Sequence, residues 1–251
     1  DDEVEYAVPD QRRRKMAVPA DPLFAANAGA APAVAAGQWY LRAPDSTLVS
    51  AINAVGAWDI STGSASIVVA DLDTGVRFDH PDLVNKLYPG YDFVTDIDTA
   101  GDGDGRDANA ADPGDWTAAN ECTIGEPASD SSWHGTQTAG LIGAQTGNGI
   151  GMASVGYNVM LLPVRVLGKC GGFDSDILAA MRLALTVALI VSVVGEMVAS
   201  QPGLGQAILL ASRSFQASEL YAGIVLLGAI GFVSNTGLAL AERRLLRWQH
   251  P

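Results

Sequence analysis

The chain has 251 residues, 48% of them apolar, and a formal net charge of −13. This length accommodates one large domain or two smaller ones, and the apolar content is enough for a buried core. The acidic balance and the lack of a basic stripe exclude nucleic-acid binding, because phosphates would be repelled.

In chain order, residues 1–20 are charged and irregular, with the run Arg12-Arg13-Arg14-Lys15. A solvated tail and the end of a propeptide with its cleavage region both fit this stretch. The chain opens on Asp1 with no apolar leader, so a leader has been removed or the chain is a fragment. Residues 26–37 are rich in Ala and Gly and read as a loop. Leu48 to Ile60 has helical spacing around Ile52, Val55 and Trp58, closed by a Ser-Thr-Gly-Ser turn. Ile67-Val68-Val69-Ala70 is a continuous apolar run suited to a buried parallel strand. It leads into Asp71-Leu72-Asp73-Thr74-Gly75, so carboxylates emerge at the carboxyl end of the strand, where ligands and chemistry sit in open α/β sheets.

Residues 96–116 form a long Asp/Gly-rich loop. Its core, Asp102-Gly103-Asp104-Gly105-Arg106-Asp107, invites a calcium reading but lacks the closing Glu of a helix–loop–helix calcium site. An ordinary solvated loop and no cofactor are expected here, with calcium as the alternative. Cys122 and Cys170 are the only cysteines. One disulfide in an exported protein and two free thiols both remain open, and no paired Cys/His spacing points to zinc. His134 to Ala144 opens a helix whose small residues, Gly135, Ala139, Gly140 and Gly143, permit close packing. Val159 to Val166 is a second apolar strand, and Asp174 to Met181 starts another helix with Asp174 as its N-cap. Strands alternating with helices imply an α/β fold with a parallel sheet.

After Arg182 the texture changes. Residues 183–251 hold Arg213, Arg243, Arg244 and Arg247 against Glu196, Glu219 and Glu242, a net of +1, which leaves −14 for the first 182 residues. Such asymmetry marks two physical classes in one chain. Leu183 to Ser200 carries only Glu196, and Leu220 to Ala241 carries no charge; each is close to the ~20 residues that span a bilayer. A Gly/Pro/Ser-containing stretch, Gln201 to Ser218, separates them. Arg243, Arg244, Arg247 and Trp248 beside the second segment imply a cytoplasmic interface. Two buried helices of a soluble protein are the alternative. Glu196 inside an apolar segment is costly unless it faces protein or water, or reaches the interface.

The chemistry centres on Asp73 and His134. A serine attacks an amide only when a neighbouring imidazole removes its proton, and the imidazole needs a carboxylate to hold its tautomer. Asp73 at a strand end and His134 at the start of a small-residue helix would supply that pair. With these strings the chain resembles the subtilisin-like serine proteases, the subtilases. The resemblance rests on Val68 to Val76 with Arg77-Phe78-Asp79-His80-Pro81-Asp82-Leu83, on His134 to Gly140, and on Gly149 to Ala153 followed by Leu162 to Gly168; it covers about 20–182. It implies Asp73 as the triad carboxylate, His134 as general base, Gly168, Gly171 and Gly172 as lining for a peptide or protein substrate, and a secreted or periplasmic location. It also makes residues 4–15 resemble the tail of an inhibitory propeptide.

Three departures stand out. Asp71 occupies a usually aliphatic position, on the same strand face as Asp73, where a buried second carboxylate needs a partner or a raised pKa. Gln137 replaces a common His without chemical consequence, and His80 is expected to be structural. The oxyanion Asn and the Gly-Thr-Ser-x-Ala-x-Pro nucleophile segment do not occur; Ser192, Ser200, Ser212, Ser214, Ser218 and Ser234 have the wrong surroundings. The chain alone is therefore expected to be inactive.

Residues 183–251 resemble the C-terminal end of an ABC importer permease of the nitrate/sulfonate/taurine type, through Ala188 to Met197, Gly203-Leu204-Gly205, Phe215, Tyr221 to Ile224 and Glu242 to Trp248. This implies the last two inner-membrane spans of a transport path, with an ABC ATPase as partner only if the permease half were complete. The expected organisation is a propeptide tail at 1–19, an incomplete doubly wound parallel sheet at 20–182 with an open edge, and two long apolar helices, with membrane contact through 183–241. Three functions follow: a truncated protease, a permease terminus with an unrelated extension, or a pseudoprotease that binds peptides without cutting. A cytoplasmic C-terminus after two spans would put residue 183 in the cytoplasm, in conflict with an exported protease; a recombined or misassembled chain accounts for this better than a membrane-anchored pseudoprotease.

Overall fold

A computed structural model describes residues 19–24, 37–200 and 202–245. The basic run 12–15, the propeptide-like 4–15, most of the Ala/Gly loop, and Arg247 and Trp248 lie outside the described residues. The sheet has three parallel strands in the order β1-β3-β2: β1 is Val68–Asp73, β2 is Tyr91–Asp92 and β3 is Met160–Arg165. Val68 pairs with Met160 and Asp73 with Arg165, so the β1–β3 register runs unbroken to the residues that carry charge. Among the described residues no strand pairs with the other side of β1.

Strand alternation sorts the side chains between two faces. Val69 and Leu161 pack with Ala139 and Ile142 of helix α3 (His134–Gly143), while Ala70, Leu72 and Leu162 pack with Ile177 and Ala180 of helix α4 (Asp174–Ala199). Asp71 and Asp73 therefore share the α3 face. A satellite cluster of Phe24, Leu41, Trp58 and Ala153 includes α1 (Ala54–Trp58).

Several elements differ from the sequence reading. The first helix covers only 54–58, because the Asp45 carboxylate takes the N–H groups of Thr47 and Leu48 in a local turn that competes with helix. Asp174 is not the N-cap of α4: Phe173 occupies that position without a side-chain bond, and Asp174 sits in the first turn with Asp176, where negative charge suits the helix dipole. The 102–107 loop is more than a solvated loop. Asp102 pairs with Arg165 at 2.6 Å and Arg106 with Asp176 at 2.6 Å, beside the short helix α2 (Ile97–Ala100).

Helix α4 crosses positions 182–183 without a break. The stretch between the two apolar segments contains helix α5 (Leu204–Arg213), followed by α6 (Ala217–Leu245). Glu196 is accounted for: its carboxylate accepts from Gly205 N–H at 2.7 Å, satisfying a free donor at the start of α5. Asp174–Val198 and Ala217–Leu240 are long and apolar enough to cross a membrane, and only 6% and 0% of their most apolar windows are buried by the rest of the chain.

Candidate active site

Asp73 ends β1, and its side chain is 9% exposed. Its Oδ1 accepts from Thr74 N–H at 2.7 Å, and both of its oxygens lie 2.8 Å from His134 Nδ1. Thr138, one turn along α3, places its hydroxyl 3.2 Å from Asp73 Oδ2 and 3.0 Å from Asp71 Oδ2. The imidazole is thus anchored on one side only: its side chain is 61% exposed. The hydrogen bond to Asp73 and the Asp73 charge raise the His134 pKa above its ordinary value, with smaller contributions from Asp71 and Asp115.

The start of α3 is fixed by close approach. Gly135 N–H donates to Thr74 Oγ1 at 3.0 Å, and Thr74 donates to the buried Asp112 at 2.7 Å. A side chain at Gly135 would meet Gly75 O and, at 3.1 Å, Asp73 Cβ, so only glycine lets the helix reach the strand end. Trp133, just before His134, is held at φ 52 in the left-handed region, and the Arg77 guanidinium lies 5.2 Å from its ring centre. On the far side of the sheet end, Arg165 is 1% exposed, pairs with Asp92 and Asp102 at 2.6 Å each, and donates to Thr74 O and Ala100 O. This clamp ties the turn after Asp73 to β2 and to the Asp/Gly loop.

The exposed face of His134 opens on a cleft of about 540 Å³ that Gly168 and Gly171 also line. Gly168 and Gly171 exchange backbone hydrogen bonds at 2.8 and 3.1 Å in a tight turn. Gly172 is placed beside this cleft rim, against Val166 and Leu167 rather than in the lining. Cys122 and Cys170 form a disulfide, and Lys169 pairs with Glu121 at 2.9 Å and lies 3.9 Å from the Trp116 ring centre. The disulfide and the lysine bracket join two segments 48 residues apart at the cleft rim; the cysteines were visible in the sequence, but the bracket was not.

Ser132 sits close in sequence but points elsewhere. Its Oγ accepts from the backbone N–H of His134 at 3.2 Å and donates to Asp115 at 2.7 Å. Among the described residues no serine hydroxyl bonds the His134 ring. Ser192, Ser212, Ser218 and Ser234 lie on α4–α6, with Ser200 and Ser214 at helix ends. His80 accepts from Asp82 N–H at 3.3 Å and shapes a turn, and Gln137 donates to Ser132 O at 2.8 Å.

No group of three or more His, Cys, Asp or Glu gathers as a metal cluster among the described residues. Two buried carboxylates do meet the 145–152 loop. Asp21, 1% exposed, accepts from Gly147 N–H at 2.7 Å through Oδ2, while its buried Oδ1 has no hydrogen-bond donor among the described residues. Asp82, also 1% exposed, accepts from Asn148 at 2.9 Å and from Met152 N–H at 2.9 Å. The unpartnered buried Asp21 Oδ1 is a hard oxygen of the kind a cation such as calcium takes. This position was not visible in the sequence, because Asp21 and the loop are more than a hundred residues apart.

The Subtilase family model matches residues 64–201. The extracellular protease of Xanthomonas campestris pv. campestris is 53% identical over 135 residues, 54% of this chain and 23% of that protein. The extracellular basic protease of Dichelobacter nodosus is 46% identical over 134 residues, 52% of this chain and 22% of that protein. The chain thus spans less than a quarter of the length of these relatives. A solved protease structure from Pseudoalteromonas arctica superposes with a TM-score of 0.56 at 46% identity, covering 66% of this chain and 43% of that one.

Proposed function

The chain belongs to the subtilase family, and from that membership we propose that residues 20–182 are the base-and-carboxylate portion of a serine endopeptidase acting on peptide or protein substrates. The observation that carries this reading is the buried Asp73 carboxylate bracketing Nδ1 of an imidazole, that of His134, which is otherwise exposed and lines the cleft. In this role His134 takes the proton of an attacking hydroxyl and returns it to the leaving amine, and Asp73 holds the tautomer and stabilises the imidazolium. Gly168 and Gly171 offer the cleft wall to an extended peptide, with Gly172 at the rim beside them. Calcium is proposed to sit at Asp21, Asp82 and the 145–152 loop, where it would tie the loop to the sheet rather than take part in the reaction.

The nucleophile is the missing element. The 251 residues contain no Gly-Thr-Ser-x-Ala-x-Pro segment. An oxyanion donor alone is worth about 3–4 kcal/mol of the barrier, and without an activated hydroxyl the pair has no atom to activate. We therefore propose that a polypeptide of these residues alone hydrolyses no peptide. Export of the protease portion is proposed from the extracellular relatives, and the Cys122–Cys170 disulfide suits an oxidising compartment.

A second reading concerns residues 183–251, which hold the later part of Asp174–Val198 and all of Ala217–Leu240, two apolar helices left almost uncovered by the rest of the chain in their most apolar windows. We propose that this part is a separate membrane segment, like a permease terminus, following the tail at 1–19 and the peptidase portion at 20–182. The test is a fluorogenic-peptide assay on the purified chain in mild detergent, with carbonate extraction of membranes from expressing cells. No turnover, together with retention in the membrane pellet, is expected. Turnover abolished by His134→Ala would refute inactivity, peptide binding without turnover would favour a pseudoprotease, and release by carbonate would refute the membrane reading.

A further inference from the structure

Asp71 faces His134 from the same strand face as Asp73, yet the chemistry above makes no use of it. Between the two carboxylates stands one hydroxyl, Thr138 Oγ1, 3.0 Å from Asp71 Oδ2 and 3.2 Å from Asp73 Oδ2, with the backbone carbonyls of His134 and Gly135 also in reach at 3.2 and 3.1 Å. A hydroxyl carries one proton and two lone pairs, so it donates to one carboxylate at a time while accepting from another group. An ionised Asp71 and an ionised Asp73 compete for that proton. A protonated Asp71 does not compete: it donates to Thr138, whose own proton then goes to the charged Asp73 carboxylate in preference to the neutral His134 and Gly135 carbonyls.

We propose that Asp71 is a positioning residue for the His134 base, acting through the Thr138 hydroxyl. This rests on the reading of His134 and Asp73 as base and orienting carboxylate. With Asp71 protonated, the chain Asp71–Thr138–Asp73–His134 is a continuous run of donors onto acceptors, and Asp73 is held by Thr74 N–H, Thr138 and the imidazole together. With Asp71 ionised, the hydroxyl turns to the nearer Asp71 oxygen and Asp73 keeps only Thr74 N–H and the imidazole. The protons rearrange among fixed heavy atoms, and no group is consumed or released except the solvent proton on Asp71. The ionised Asp71 also adds negative charge beside the imidazole, so His134 binds its proton more tightly.

The change falls in a useful range. Burial, opposed by the Thr138 bond and reinforced by the Asp73 charge, pushes Asp71 up to about 6. The charged groups acting on Asp71 are Asp73 on its own strand and His134 on α3; those acting on His134 are Asp73, Asp71 and Asp115 from the preceding loop. A unit charge within about 7 Å of a half-exposed imidazole moves its midpoint by about half a unit.

The experiment follows the ring carbon and nitrogen shifts of isotope-labelled histidine against pH, on the full chain in detergent micelles, with His80 and His250 assigned by substitution. The parent His134 is expected to show an inflection near pH 6 in addition to its own titration. Asp71→Asn, which keeps the shape and donates to Thr138 as protonated Asp71 does, is expected to remove that inflection and lower the midpoint by about half a unit. Thr138→Val is expected to erase the inflection in part, and Thr138→Ser to retain it. If Asp71→Asn leaves His134 unmoved while Asp73→Asn lowers its midpoint, the proposal fails and the base reading stands. If Asp73→Asn also leaves it unmoved, the base reading itself fails. A Thr138→Val titration identical to the parent overturns the role given to the hydroxyl.

Discussion

Replacing Asp71 with Asn should stabilise the fold, and more so at high pH than at low pH. In the folded chain burial moves this carboxyl from 3.8 to about 6, so the native state holds its proton more tightly than the unfolded chain does. Stability therefore falls as pH rises from about 4 through about 6, and the loss is complete above the folded value. Two pKa units correspond to about 3 kcal/mol. Asp71 keeps some contact with water, so solvent screening reduces the expected gain to about 1–2 kcal/mol at pH 8. At pH 4.5 the linkage relation leaves about a third of that difference. Asn keeps the shape of the carboxyl and donates to Thr138 as protonated Asp71 does, so packing is unchanged to first order. His134 also contributes stability that is lost as pH rises through its raised value, but that contribution is common to parent and variant apart from the coupling described above. The assay is urea unfolding of the full chain in mild detergent, followed by tryptophan fluorescence at the two pH values. A variant less stable than the parent at pH 8, or a difference independent of pH, would refute the reasoning.

Three further outcomes are expected. Arg165→Met should lower stability by about 3–5 kcal/mol, because it strands the fully buried Asp92 carboxylate without a counter-charge; a shift below about 1 kcal/mol in urea unfolding would contradict the clamp. Gly135→Ala should cost about 1–3 kcal/mol and pull His134 off Asp73, since the new methyl meets Gly75 O; the imidazole titration should then fall back toward its ordinary value. Saturating calcium should raise the thermal midpoint, with about 2.7 kcal/mol of stabilisation at a hundredfold excess over Kd, and Asp21→Asn with Asp82→Asn should abolish the difference between calcium and chelator.

Much of the site was legible along the chain because its signals are local. An apolar run that ends in Asp-Thr-Gly, and a small-residue helix that opens on His-Gly-Thr, each declare their element by side-chain pattern alone, and β1 and α3 follow those bounds closely. The strand period of two also placed Asp71 and Asp73 on one face. The need for a partner or a raised pKa at Asp71 followed from elementary solvation, and both are present. Local patterns were less dependable at element ends, where the Asp45 turn shortened the first helix and Phe173 took the cap position expected of Asp174.

The order of residues by itself determined the strand and helix that carry Asp73 and His134, the change to long apolar segments after residue 182, and the lack of a Gly-Thr-Ser nucleophile string. Tertiary structure decided which charges meet. It buried Arg165 between Asp92 and Asp102, set Thr138 between two carboxylates, joined Cys122 to Cys170, brought Asp21 to the 145–152 loop and laid Glu196 on the start of α5. Periodicity is written in neighbouring residues, whereas the partner of a buried charge is chosen by which distant segment the folded chain carries past it, and desolvation then sets the consequence.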